Sequence, residues 1–341
     1  MSLFSFRTAS RMACLSGVAA LALALGGTAQ AAECRKGPVT VGYIPKLDTD
    51  PFFQSANTGA QKAQGEIGGK IVLQAPSEAT AEAQIAFINN MVTQGVDAIV
   101  ISGNDANALA PALKRAQAQN VWVLTYDSDV APKARSIFIN QAQSELLGQS
   151  MLESLGKAIN YDGEFAILSS TPTATNQNRW IANMKQTIAS DPKFAKMKLV
   201  QVAYGQESEQ INQQQTLALV QAFPNLKGII VPAGIGLPAA ARALDQAGLS
   251  GKIKLSGLGP VSLVKKYVKD GSLADVWWNV PDLGYLSYYA AQGLAQCKFK
   301  PEAGATFTAG HLGSYTVGKD GLVLLGPPKV ATPANVDEFP F

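Results

Sequence analysis

Thr80 to Thr125 reads TAEAQIAFINNMVTQGVDAIVISGNDANALAPALKRAQAQNVWVLT, and this stretch decides the fold class. Apolar residues recur at helical spacing from Thr80 to Gln94, Gly95 closes the helix, and Ala98 to Ser102 follows as a short, mostly β-branched run. The same sentence is then repeated, with a helix over Ala106 to Gln119 and a strand over Val121 to Thr125. Strand and helix in strict alternation predict a parallel sheet with right-handed crossovers and helices on both faces.

The pattern extends in both directions. Upstream, Val39 to Pro45 and Lys70 to Leu73 read as strands around a helix from Phe52 to Gly68 that is entered through Pro51. Downstream, a strand at Ile137 to Asn140 closes the first module, and a second module follows. It has strands at Glu164 to Ser169, Lys198 to Ala203, Gly228 to Val231 and Lys254 to Gly257, with helices at Gln177 to Ala189, Glu209 to Phe223 and Pro238 to Ala247 between them. A helix from Leu283 to Gln296 and a late strand at Leu322 to Leu325 lie beyond both modules, so the chain is expected to cross between lobes more than once. The expected architecture is α/β, two doubly wound parallel-sheet lobes joined by a multi-strand hinge. The first lobe takes 33–141 and 282–311, the second takes 142–281 and 312–341, and hinge segments fall near Asn140 to Gln143, Trp278 to Asp282 and Gly310 to Ser314.

The N-terminus reads as an export signal. Arg7 and Arg11 precede an apolar stretch from Cys14 to Leu25, and Ala29-Gln30-Ala31 supplies the small-x-small pattern of a signal peptidase site, so cleavage is expected near Ala31 or Ala32. The apolar run is shorter than the roughly 20 residues of a spanning helix. Loss of the leader leaves 26 basic against 25 acidic residues, and a formal charge of +1 gives no electrostatic case for nucleic acid or an anionic membrane. The remaining chain suits two lobes of about 150 residues each. Cys34 and Cys297 stay after processing; in an oxidising compartment they read either as one disulfide or as two isolated thiols, and neither has a CxxC or metal-ligand neighbour.

Open parallel sheets bind ligands beyond the carboxyl ends of their strands. The residues there are Lys46, Ser102 to Asn104, and Tyr126, Asp127 and Asp129 in the first module. The second contributes Thr171 to Trp180, Pro232 to Gly236 and Leu258 to Pro260. Amides, carboxylates and a lysine satisfy hydroxyl groups, and aromatic faces cover the C–H side of a sugar. Phe53 and Trp180 neighbour polar rim positions and are the aromatic candidates, with Trp278 and Asn279 at an expected lobe crossing; Phe52 and Trp277 read equally well as core. Asp105 and Asp129 suit helix-cap or turn roles better than ligand contact.

Catalysis and cofactors find little support. His311, the chain's one histidine, stands in a Gly-rich segment outside both modules, and no GxSxG, HExxH or P-loop accompanies it. Gly234-Ile235-Gly236-Leu237-Pro238-Ala239 matches the GxGxxA form of the dinucleotide fingerprint, but it follows a late strand and contains proline, so it is read as a tight ligand-facing turn. No enzyme activity, cofactor or metal is expected.

The segments VGYIPKLDTDPFF, INNMVTQGVDAIVISG, PALKRAQAQNVWVLTYDSD, FINQ, SSTPTATNQNRW, LPAAARAL and GLVLLGPP resemble the periplasmic autoinducer-2-binding proteins of ABC importers and their rhamnose-binding relatives, over nearly all of the mature chain. The resemblance implies the type I periplasmic binding protein fold, a ligand held between lobes, and delivery to a pair of ABC permease subunits in the inner membrane. It puts the ligand-binding lysine at Lys46, an aspartate at Asp127, a glutamine at Gln177 and a proline-containing loop at Pro232. Two positions depart: Asn176 stands where the autoinducer-2 binders carry a second aspartate, and Gly234 where they carry alanine. The expected ligand is therefore a small sugar-like polyol: a tetritol, pentose, pentitol, deoxyhexose or autoinducer-2. A monomer in the periplasm is expected. The rivals are an exported enzyme acting on a small sugar and a sugar-responsive repressor, which would need a helix-turn-helix ahead of Val39.

Overall fold

The alternation is realised twice in the computed structural model, which describes residues 34–339. The first set runs β1 (Thr40–Ile44), α1 (Pro51–Ile67), β2 (Lys70–Leu73), α2 (Ala81–Thr93), β3 (Ala98–Ile101), α3 (Ala106–Ala118), β4 (Trp122–Tyr126) and β5 (Ile137–Asn140). The second runs α4 (Ser144–Ala158), β6 (Asp162–Ser169), α5 (Thr175–Ser190), β7 (Lys196–Tyr204), α6 (Glu209–Ala222), β8 (Leu226–Val231), α7 (Gly236–Gln246), β9 (Lys254–Gly257), α8 (Val261–Lys269) and β10 (Leu273–Trp277). The tail adds α9 (Val280–Ala295), β11 (Thr306–Thr308), β12 (Ser314–Thr316), β13 (Leu322–Leu324) and β14 (Lys329–Ala331).

The sheets have matching orders, β2-β1-β3-β4-β5-β13 and β7-β6-β8-β9-β10-β14, and β14 alone among their strands runs antiparallel. Three apolar layers fill the molecule. One holds Ile99, Ile101 and Leu113 with α2 and α3; another holds Ile229, Leu237 and Val264 with α6 to α8. The third runs through both lobes, from Val41 and Val100 under α1 and α9 to Phe165, Ile167 and Met151 under α4 and α5. Strands buried on both faces read as continuous apolar runs, which is why AIVI and GIIV are legible without any alternation.

The tail corrects the sequence-based lobe division. Leu322–Leu324 pairs with β5 of the first sheet, and only Lys329–Ala331 joins the second, so 312–341 does not belong wholly to the second lobe. The third crossing lies at 325–328, where Gly326-Pro327-Pro328 breaks the strand. Gly310 to Ser314, expected as a hinge, instead turns the β11–β12 hairpin, with Gly310 and Gly313 at φ 46° and 80°. Short strands and tight turns carry weak periodicity, and this is the segment where pattern reading failed. Cys34 and Cys297 are bonded, with Cα atoms 5.3 Å apart, tying the start of the first lobe to the end of α9. The export signal lies outside the described residues. No helix among the described residues is long and apolar enough to cross a membrane.

Candidate ligand-binding cleft

In each sheet the strand order reverses at one place, between β1 and β3 in the first and between β6 and β8 in the second. Chain leaving such neighbours departs to opposite faces and opens a crevice at the carboxyl ends. Lys46 follows β1, Asp127 follows β4, Asn176 and Gln177 begin α5 after β6, and Pro232 follows β8. These groups line one cavity of about 50 Å³ together with Phe53, Trp180, Gly234 and Trp278.

The polar side chains meet across the cleft. Lys46 Nζ donates to Asn176 Oδ1 at 3.2 Å, and Asn176 Nδ2 donates to Asp127 Oδ1 at 3.1 Å. Asp127 also accepts from Ser102 Oγ at 2.8 Å and Gln141 Nε2 at 3.3 Å, and its own backbone is held at φ 57°. Gln177 Nε2 donates to the Pro232 carbonyl at 3.1 Å, which leaves its buried Oε1 without a protein partner among the described residues. The indole Nε1 of Trp278 is in the same state. Such atoms are costly to bury alone and are natural contacts for a ligand's hydroxyls. Lys46 is braced from behind: Asn104 Nδ2 bonds its carbonyl, and Gln84, fully buried on α2, bonds Pro45 O, Ser102 O and the Asn104 amide.

Lys46 and Asp127 are only 3% and 4% exposed. Burial raises the Asp127 carboxyl above its ordinary range, and the opposing lysine and hydrogen bonds do not cancel this. Lys46 Nζ stands 3.8 Å from Asp127 Oδ2, an ion pair just beyond direct hydrogen-bonding range. Asn176 fills the gap because an amide accepts from the cation and donates to the carboxylate, which aspartate cannot do when ionised.

Five aromatic residues wall the cavity. Phe52 and Phe53 meet edge to face at 5.0 Å, Phe52 meets Trp278 at 5.9 Å, and Trp180 meets Trp278 at 6.4 Å. Phe53, Trp180 and Trp278 were expected there. Phe52 and Trp277, which read equally well as core, also line the cavity, as do Leu258, Gly259 and Pro260 of the expected rim.

The other candidates serve the fold. Asn279 is not on the cavity wall; its Oδ1 accepts from Asp282 N at 3.1 Å as the N-cap of α9, and Asn before Pro281 carried that signal. Asp129, off the wall, is held by Arg135 through 2.6 and 2.8 Å bonds and by Thr125. Asp105 caps α3. Gly236 of the fingerprint-like turn is set by packing, since a Cβ there would stand 2.8 Å from Asn212 Oδ1. His311 sits at the surface, 3.3 Å from Asp282, away from the cavity. Asp50 and Glu207 also line the cavity and were not among the candidates. Pro51 directly after Asp50 marked a helix start and drew attention away from its second face. Among the described residues no cluster of His, Cys, Asp and Glu fits a metal ion.

Paired doubly wound sheets whose reversal points open on one aromatic-walled cavity define a two-lobed binding protein. The sequence profile of the periplasmic binding protein domain matches residues 41–299, and the chain belongs to that family. A solute-binding protein from Clostridium phytofermentas with bound L-rhamnose is 37% identical and superposes with a TM-score of 0.85, covering 89% of this chain and 98% of that one. LsrB from Clostridium saccharobutylicum in complex with AI-2 is 27% identical with a TM-score of 0.83, covering 89% and 100%. The D-ribose/D-allose-binding protein of Pseudomonas aeruginosa is 26% identical over 243 residues, 68% of this chain and 74% of that one.

Proposed function

We propose that this chain is a periplasmic solute-binding protein that captures a small sugar-like polyol and delivers it to the permease subunits of an ABC importer. The observation that carries the reading is the convergence of Lys46, Asp127, Asn176 and Gln177, from both lobes, on one aromatic-walled cavity. Size limits the ligand. The cavity is small, which suits a single tetritol, pentose, pentitol, deoxyhexose or autoinducer-2. The leader is removed near Ala31 or Ala32, and the mature protein acts as a monomer.

Capture is hinge closure: strand tips of two lobes meet over the ligand, and the closed form is favoured because it adds contacts the open form lacks. The reading assigns 34–141 and 280–324 to the first lobe and 142–279 with 325–339 to the second. Lys46, Phe53, Asp127, Asn176, Gln177, Trp180, Pro232, Gly234 and Trp278 hold the ligand.

Mass spectrometry of small molecules released on denaturing the purified protein, with thermal unfolding in D-ribose, L-rhamnose, D-arabinose and autoinducer-2, tests the reading. One stoichiometric polyol and a rise in Tm with at least one sugar are expected. No rise with any of them, or conversion of the added sugar to product, would refute it in favour of another ligand class or an enzyme.

A further inference from the structure

Asp50 is buried at the N-cap of α1, where Oδ1 accepts from Phe52 N at 2.9 Å. Its other oxygen has no hydrogen-bond partner among the described residues, and the side chain lines the cavity. From the second lobe, Glu207 lines the same cavity and also the groove at its mouth. Glu207 is held in place: it accepts from Ser170 Oγ, and both it and Gln206 sit at positive φ, 53° and 54°. Left-handed backbone costs an L-residue roughly 1–2 kcal/mol, so two in succession mark a loop whose shape is imposed. Gly234 leaves the space beside Asp50 clear, since a Cβ there would stand 3.5 Å from Asp50 Oδ1.

The charges around this pair do not balance. Lys46 and Asp127 face Asp50 from the ends of β1 and β4, and Lys46 is already engaged by Asn176 and Asp127. At the mouth, Arg242 is bound to Glu209 at 2.7 Å, and Glu78 adds a further acid. A helix cap alone does not require a carboxylate, because asparagine or serine caps equally well without burying charge. Burial first, then the neighbouring Glu207, pushes the Asp50 carboxyl up to about 7 from 3.8.

We propose that Asp50 and Glu207 form a proton site shared across the cleft, so that the closed, sugar-holding form binds one proton more than the open form. The inference rests on the reading of this cavity as the sugar site. In the open form Asp50 faces water, without the burial that raises its carboxyl in the closed form. Closure brings both to the wall of one cavity beside Asp127, with Asp50 buried, and a proton taken from solvent removes the repulsion between them. The pair then acts as one unit and offers an O–H donor as well as acceptors to the sugar.

The sign follows from linkage. A carboxyl whose closed-form affinity for protons exceeds its open-form affinity favours closure at low pH, and the advantage is lost as pH rises from about 4 to about 7. Above that window both forms are ionised and affinity levels off. Titration calorimetry with L-rhamnose from pH 5 to 8, in two buffers of different ionisation enthalpy, reads this directly. The wild type should take up close to one proton at pH 5.5, with Kd rising about tenfold per unit towards pH 7. Asp50→Asn, which keeps the cap, should remove most of the proton uptake and of the slope of Kd with pH, and Glu207→Gln should reduce both in part, because burial still raises the Asp50 carboxyl. Binding without proton uptake by the wild type would overturn the proton site and leave the sugar reading intact. Should L-rhamnose, D-ribose and D-arabinose all fail to bind, the sugar reading falls, and X-ray scattering of the protein without sugar decides the pair. A radius of gyration that shrinks from pH 7 to 5 in the wild type but not in Asp50→Asn supports the site; identical profiles overturn it.

Discussion

Asn176 accepts from a lysine and donates to a carboxylate in the same cleft, and that amphoteric role explains why an amide stands there. Asp127 is the hub of this network, receiving Ser102, Gln141 and Asn176 from three elements. Asp127→Ala is expected to fold and to lose the Tm rise that a bound sugar gives the wild type; an undiminished rise would remove Asp127 from the site. Gly234→Ala tests the other departure. Its Cβ would meet Asp50 at ordinary van der Waals distance, so stability should change by less than about 1 kcal/mol in urea denaturation while sugar affinity shifts. Lys46, Asp127, Gln177 and Pro232 were legible because each follows the end of a recognisable strand or opens a helix after one. Asn279 lies off the cavity wall and Asp50 on it, although both stand at the start of a proline-containing helix. A polar residue before proline announces a helix cap, and whether its free face also meets a cavity depends on what lies opposite.

Helices α1 and α9 touch backbone to backbone. A Cβ at Gly59 would fall 1.8 Å from Pro281 O, and one at Gly284 would fall 1.8 Å from Ala56 O. Both helices begin at the cleft, α1 behind Phe52 and Phe53 and α9 behind Trp278, so their spacing sets the aromatic wall. Alanine for glycine inside a helix gains about 1 kcal/mol of propensity. Overpacking costs about 1–3 kcal/mol or more when the obstacle is main chain. The clash wins, and Gly284→Ala is expected to lower the urea midpoint; a raised midpoint would show that the helices part freely. The long helices and buried strands of both modules were readable from periodicity. Helix α4, helix α8, β10 and the strands β11, β12 and β14 were not read; the strands are only three to five residues long and carry too little pattern.

The disulfide acts on the whole chain. Cys34 and Cys297 close a separation of 263 residues, and cross-links of this kind contribute about 2–4 kcal/mol, chiefly by restricting the unfolded state. Cys297→Ser, or reduction of the wild type, should lower the unfolding midpoint by a corresponding amount with sugar capture retained; an unchanged midpoint would make the bond incidental. The order of residues by itself determined the two α/β modules, the crossing of the chain between them and the rim from which the candidate site is drawn. These follow from local propensity and from the rule that parallel sheets bind at their carboxyl ends. Only the tertiary structure decided that β13 and β14 part company at 325–328, that the two cysteines meet, and that Asp50 and Glu207 share a cavity. Those are contacts between residues far apart in the chain. Nothing in the local sequence distinguishes such partners, because the packing of the folded chain, and not any neighbour along the backbone, brings them together.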